Sequence, residues 1–213
     1  TMLFSATLDD DVASLTRDYQ RSPVRHEVGE KTPDITAATH LFWSVAKADR
    51  SVVTAEAVNA AWPAIVFCRT RHGADRLAKQ LGKEGILAAT IHGGRSQNQR
   101  TRALADFANA KVHALVASDV AARGIHVDDV ASVIHFDVPE DPKAYVHRSG
   151  RTARAGQGGV VVTLVQPEQA KDVRRMQRQV GLSEAITAPD ASSLWALTPA
   201  PVPRKVTVIS GNV

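Results

Sequence analysis

Six short apolar runs limit what this chain can fold into. They are "THLFWSV" (39–45), "AIVFC" (64–68), "AATIHG" (88–93), "HALVAS" (113–118), "SVIHFDV" (132–138) and "GVVVTLV" (159–165). Most are almost continuously apolar and β-branched, where a half-solvated strand would alternate. A strand that is apolar on both faces must be covered on both faces. Helical patterns stand between the runs, so helices are the cover. The combination predicts an α/β fold: an open parallel sheet with helices on both faces.

The helices carry their own end signals. In "SQNQRTRALADFANA", Ser96 precedes the helix and Gln99 follows three residues on, a capping-box arrangement. Ala103, Leu104, Phe107 and Ala108 form its apolar stripe. In "DPKAYVHRSG", Asp141 is the expected N-cap, Pro142 the first helical residue and Gly150 the stop. "PEQAKDVRRMQRQVG" starts at Pro167 and ends at Gly181. Two more helices fit about 47–61 and about 72–84.

The 213 residues are 44% hydrophobic, with a formal net charge of +4 and a pI near 9.5. That balance permits a polyanionic partner without requiring one. No apolar run approaches the roughly 18 residues of a membrane span, and no signal-peptide pattern opens the sequence as given. The single cysteine, Cys68, excludes an internal disulfide and reads as a small buried hydrophobe, so a cytoplasmic setting is expected. The opening "TMLFSATL" reads as the inside of a longer protein. Residues 1–22 read as a strand end and a helix, 23–38 as a linker, and 39–184 as the main domain. Residues 185–213, rich in Ala and Pro, read as a flexible tail that Trp195 could tack down.

Open sheets bind ligands beyond the carboxyl ends of their strands. The loops after the runs are therefore where chemistry is sought. In "CRTR", Arg69, Thr70 and Arg71 stand where a strand hands over to a helix, which suits a phosphate. In "HGGRSQNQR", Gly93 and Gly94 allow close backbone approach, and Gln97 and Arg100 share one face at a helix start. In "ASDVAARGIHVDD", Ser118 and Asp119 close a strand, with Arg123, Gly124 and His126 following. "HRSGRTARAG" sets His147, Arg148, Arg151 and Arg154 in eight residues, continuing past the expected helix stop. Arginine forks bind phosphate bidentately and stabilise charge on a transferring phosphoryl group. Each cluster taken alone is also an ordinary polar loop or helix end. Scattered histidines and one cysteine speak against a metal site, and none is expected. There is no G-x-x-x-x-G-K-[ST] loop and no Asp-Glu pair after an apolar strand, the usual parts for holding ATP and magnesium.

The order of the clusters is more specific than any one of them. "SAT", "AIVFCRTR", "HGGRSQNQR", "ALVASDVAARGIHV" and "HRSGRTARAG" together resemble the second half of a DEAD-box RNA helicase, most like the bacterial RhlE-like branch. The resemblance spans about residues 1–181. It implies a RecA-like lobe that closes on an N-terminal RecA-like domain, with ATP, Mg2+ and RNA between the two. It implies that Arg151 and Arg154 reach the γ-phosphate. Ser5, Thr7, Asp119, Arg123, Gly124, His126, His147 and Arg148 would then serve ATP binding and interlobe coupling. Arg69, Thr70, Arg71, Gly93, Gly94, Gln97, Arg100 and Ser118 would contact the RNA sugar-phosphate backbone, with little sequence preference. Such arginines are expected to stand exposed, waiting for a phosphate. Without the missing parts, residues 1–213 alone are expected not to hydrolyse ATP, and no cofactor is expected on them alone. Two positions depart from the family's pattern. Ser118 replaces Thr and keeps the hydroxyl. His126 replaces an Asp that takes the ATP ribose, which implies weaker or more tolerant ribose recognition. Other readings are a non-catalytic RNA-binding or regulatory RecA-like module and a DNA translocase lobe.

Overall fold

A computed structural model describes residues 16–21, 24, 35–118, 127, 130–153 and 158–197. The chain divides into two units, Thr1–Pro33 and Asp34–Val213, and the division falls within the expected linker. Residues 16–19 of the first unit are helical.

The second unit holds the strands β1 (Thr39–Ser44), β2 (Ala64–Cys68), β3 (Ala88–Ile91), β4 (Ala114–Ser118), β5 (Ser132–His135), β6 (Val160–Val165) and β7 (Ile186–Thr187). All pair in parallel, in the order β3-β4-β2-β5-β6-β1-β7. Its helices are α1 (Arg50–Ala60), α2 (Arg71–Lys83), α3 (Gln97–Ala108), α4 (Pro142–Ser149), α5 (Ala170–Gln179) and α6 (Leu194–Leu197). Every residue of β2, β4, β5 and β6 is buried, as the continuous apolar runs require.

Alternation along the strands makes two cores. Trp43, Val66, Ile134 and Leu164 face α1, α2 and α6 through Val58, Leu77 and Leu194. Phe42, Phe67, Val133 and Val161 face α3, α4 and α5 through Phe107, Tyr145 and Met176. The helix ends follow the sequence signals. Ser96 and Gln99 form a capping box on α3, and Asp141 accepts from the Ala144 amide with Pro142 in the first turn. Such a cap contributes about 1 kcal/mol. Gly85 and Gly181, just past α2 and α5, have φ of 80° and 77°, where a side chain would be strained.

The expected flexible tail begins too early. Residues 186–187 pair with β1, and Leu194 is fully buried against the first core. Leu194 is the anchor, while Trp195 is 64% exposed. A two-residue strand beside Pro and Ser carries no periodic signal, so composition alone reads as linker.

The order of strands creates one crevice. The connection from β2 leads past β4 to the edge strand β3, and that from β5 leads the other way, to β6. These neighbouring strands thus diverge at their carboxyl ends, the position at which open parallel sheets take ligands.

Two histidines are packed against Tyr145 of α4. His40 donates from Nε2 to the Ile35 carbonyl at 2.8 Å, so its Nδ1 accepts the Tyr145 hydroxyl at 2.7 Å. His135 is fully buried beside Thr163 and meets the Tyr145 ring edge-on. Burial holds both below the ordinary histidine range, for His135 strongly and with Arg148 adding to it. Burial likewise pushes the Tyr145 phenol well up. Both histidines fold neutral, and the unfolded chain takes up more protons below about pH 6.5. Their contribution is complete above that value and is lost as pH falls through the window below it. The urea midpoint should therefore drop between about pH 7 and pH 5.5, and His135→Asn should flatten the slope. A midpoint constant over that interval would contradict it.

Candidate functional site

The site is built around Asp137, just past the end of β5. Each of its polar atoms goes to a different place. Its amide donates to the Phe67 carbonyl of β2 at 3.2 Å. Its Oδ2 accepts the Arg69 amide at 2.8 Å, and its Oδ1 accepts from Arg50 of α1 at 2.7 Å. Its carbonyl accepts from Arg148 of α4 at 2.9 Å. One residue thereby joins two strand ends and two helices on opposite faces of the sheet.

Arg50 and Arg148 are both buried, and each lies over an aromatic ring. The Arg50 guanidinium is 3.8 Å from the Phe136 centroid and also donates to the Phe136 carbonyl. The Arg148 guanidinium is 5.3 Å from the Phe67 centroid. A buried guanidinium needs its donors satisfied and its charge matched. The Asp137 carboxylate matches the Arg50 charge and its carbonyl takes one Arg148 donor, while the buried Nε of Arg50 has no hydrogen-bond partner; the rings add cation–π attraction. The expectation that the arginines of "HRSGRTARAG" stand exposed fails for Arg148, which is 4% exposed. Its place in the last turn of α4 points it into the crevice wall, where the Asp137 carbonyl waits. Arg151 and His147 are half-buried.

The segment after α4 is pinned tightly. Val130 donates its amide to the Arg151 carbonyl, and the Thr152 hydroxyl donates to the Val130 carbonyl at 2.5 Å. A Cβ on Gly159 would sit 2.0 Å from the Thr152 hydroxyl and 2.6 Å from the Ala153 amide. Only glycine fits there, against the backbone that follows Arg151.

On the other side of the crevice, Arg69, Thr70 and Arg71 are exposed. Thr70 caps α2 by accepting from the Gly73 amide at 3.0 Å, which leaves its hydroxyl proton to donate. Gly93, Gly94 and Gln97 are exposed beside them, and Arg100 donates to Gln97 at 3.3 Å. The loop is held from below. His92, buried, accepts the Gly94 amide on Nδ1 and donates from Nε2 to Asp75 at 3.0 Å. Arg95 donates to Asp75 at 2.6 Å and to Thr90 at 2.9 Å. Partial burial raises the Asp75 carboxyl, but the hydrogen bonds from His92 and Arg95 outweigh it and hold it below the ordinary range. A Cβ on Gly94 would press on the His92 ring at 3.2 Å, whereas one on Gly93 would meet nothing within 4 Å. A side chain at 94 would thus crowd the His92 ring that holds the loop, and Gly93 faces open space. Ser118 differs from its expected companions: it ends β4 level with Cys68 and is only 6% exposed.

Ser5, Thr7, Asp119, Arg123, Gly124, His126 and Arg154 lie outside the described residues. Among the described residues, no group of three or more His, Cys, Asp and Glu gathers to hold a metal. No helix there is long and apolar enough to cross a membrane. Sequence reasoning missed Arg50, Asp75, His92 and Asp137. The polar Asp at the end of the buried run "SVIHFDV" was the available signal for Asp137. A single arginine opening α1 gave none.

The model of the helicase conserved C-terminal domain matches residues 50–156. The chain is 37% identical over 171 residues to the ATP-dependent RNA helicase CshA of Listeria monocytogenes, covering 79% of this chain and 33% of that protein. It is 35% identical over 211 residues to the ATP-dependent RNA helicase RhlB of a Shewanella species, covering 96% and 47%. It therefore spans between a third and a half of these curated relatives. It superposes on S. cerevisiae Dbp5 bound to RNA and ADP BeF3 with a TM-score of 0.72 and 26% identity, covering 91% of this chain and 54% of that one.

The Asp137 connections carry a stability prediction. Asp137→Ala strands the buried Arg50 charge and should cost about 2–4 kcal/mol in urea denaturation. Glu140→Gln removes only the exposed 3.8 Å pair with Arg69 and should cost under about 0.5 kcal/mol. Equal effects would contradict this assignment.

Proposed function

This chain belongs to the family of helicase conserved C-terminal domains, in its DEAD-box branch, and on that premise we propose that it is the C-terminal RecA-like lobe of an ATP-dependent RNA helicase. The matched relatives bear the names CshA and RhlB, so the narrower RhlE-like likeness goes no further than the sequence.

The observation that carries the reading is the Asp137 junction. It ties the loop of Arg69, Thr70 and Arg71 to the helix of Arg148 and the segment of Arg151. One side offers amides, hydroxyls and guanidinium groups suited to a sugar-phosphate backbone. The other offers positive charge fixed in place, suited to the terminal phosphate of ATP. Among the described residues the exposed donor set is cationic, which fits a lobe that stabilises charge while the N-terminal RecA-like domain of the same protein holds ATP and Mg2+. In the complete enzyme ATP supplies the phosphoanhydride that is hydrolysed. Arg151, with Arg154, would neutralise charge at the γ-phosphate. Arg148 would position the α4 end through Asp137, not contact the nucleotide. Gln97, Arg100, Arg69 and Thr70 would hold RNA, and the proposed work is local strand separation. The single buried cysteine is compatible with a reducing, cytoplasmic setting.

In the full-length protein, Arg151→Ala should lower the RNA-stimulated kcat about 10³-fold while RNA affinity stays within about threefold. A kcat close to wild type would contradict the assignment. Residues 1–213 alone should show no RNA-stimulated ATPase activity.

A further inference from the structure

Helix α2 carries a second feature. His72, Arg76, Lys79 and Lys83 recur at i, i+4, i+7 and i+11, which places them on one face. All four are exposed. The opposite face is buried through Ala74, Leu77 and Leu81. The one acidic residue within α2 is Asp75, and its carboxylate is held by His92 and Arg95. Glu84 follows only at the C-cap. Among the described residues, none of the four stripe residues has an ion pair or a side-chain hydrogen bond. Helix α5 also presents Lys171, Arg174, Arg175 and Arg178, but there Asp172 pairs with Arg175 at 2.9 Å.

The α2 stripe does not start in isolation. It begins directly after Arg69, Thr70 and Arg71, and a Cβ on Gly94 would come within 3.6 Å of Arg71 Cδ. The "CRTR" and "HGGR" loops thus meet at the head of the helix. From Arg71 to Lys83 the helix runs about 18 Å, away from the strand ends. Uncompensated like charges in a row gain little from the fold itself, and they repel one another. A regularly charged ligand lying along them removes that repulsion.

We propose that the outer face of α2 is an accessory RNA-binding track, on which Arg76, Lys79 and Lys83 take the phosphates of RNA running out of the crevice past Arg69 and Arg71. The track rests on the RNA reading of the crevice. It extends the bound strand along the side of the lobe and reads charge, not bases. Length of RNA is what separates it from the crevice.

The test is equilibrium binding of the full-length protein to single-stranded RNAs of about 5 and about 16 nucleotides, titrated against salt. The variant combines Arg76→Gln, Lys79→Gln and Lys83→Gln, all on an exposed face, so the melting temperature serves as the fold control. Affinity for the short strand should stay as in wild type. The long strand should lose its advantage, and the slope of log K against log salt should fall by about two, three phosphates at about 0.7 each. A variant that changes the affinity for both lengths by the same factor, or leaves the slope unchanged, would overturn the track. An unchanged slope with lost binding of poly-glutamate would assign the stripe to an acidic polypeptide instead, and overturn it too. Failure of the wild-type protein to bind either strand would refute the RNA reading of the crevice itself, a distinct result.

Discussion

Asp137 is the residue on which the two halves of the site depend. A parallel sheet delivers its loops to one edge but does not by itself fix them relative to one another. Here a single side chain and its backbone do so, using all four polar atoms. Both arginines it serves are buried: its carboxylate matches the Arg50 charge in a poorly solvated place, and its carbonyl takes a donor of Arg148. Strength alone does not explain it. Geometry does, because Asp137 stands where the connections of β2 and β5 diverge.

That junction also explains a division of labour among the arginines. Arg50 and Arg148 are inside, engaged with Asp137, Phe136 and Phe67. Arg69 and Arg71 are outside, and Arg151 lies between the two conditions. Sequence places Arg69, Arg71, Arg148 and Arg151 in polar clusters without sorting them, and gives no signal for Arg50. Burial sorts them: an arginine stacked on a ring and bonded to a carbonyl holds structure, and an exposed one can meet a ligand.

The architecture was largely legible because its signals are local. Continuous apolar runs specify strands covered on both faces, and Ser96, Gln99, Asp141 and Pro142 specify helix starts. The site was legible only in outline. Arg50 and Asp137 are 87 residues apart, and so was their pairing hidden. Asp75 and His92 meet only because α2 and β3 pack together. The stretch 186–197 joins the domain through one pairing with β1 and one buried leucine, features that leave no periodic trace.

The most direct measurement is the thermodynamic coupling between RNA and nucleotide. RNA affinity of the full-length protein is measured with and without a non-hydrolysable ATP analogue, for wild type and for Asp137→Asn. The asparagine keeps the shape but turns one acceptor into a donor facing Arg50 or the Arg69 amide. RNA affinity without the analogue should change by less than about threefold, while its enhancement by the analogue should fall toward one. An enhancement equal to that of wild type would contradict the role given to Asp137.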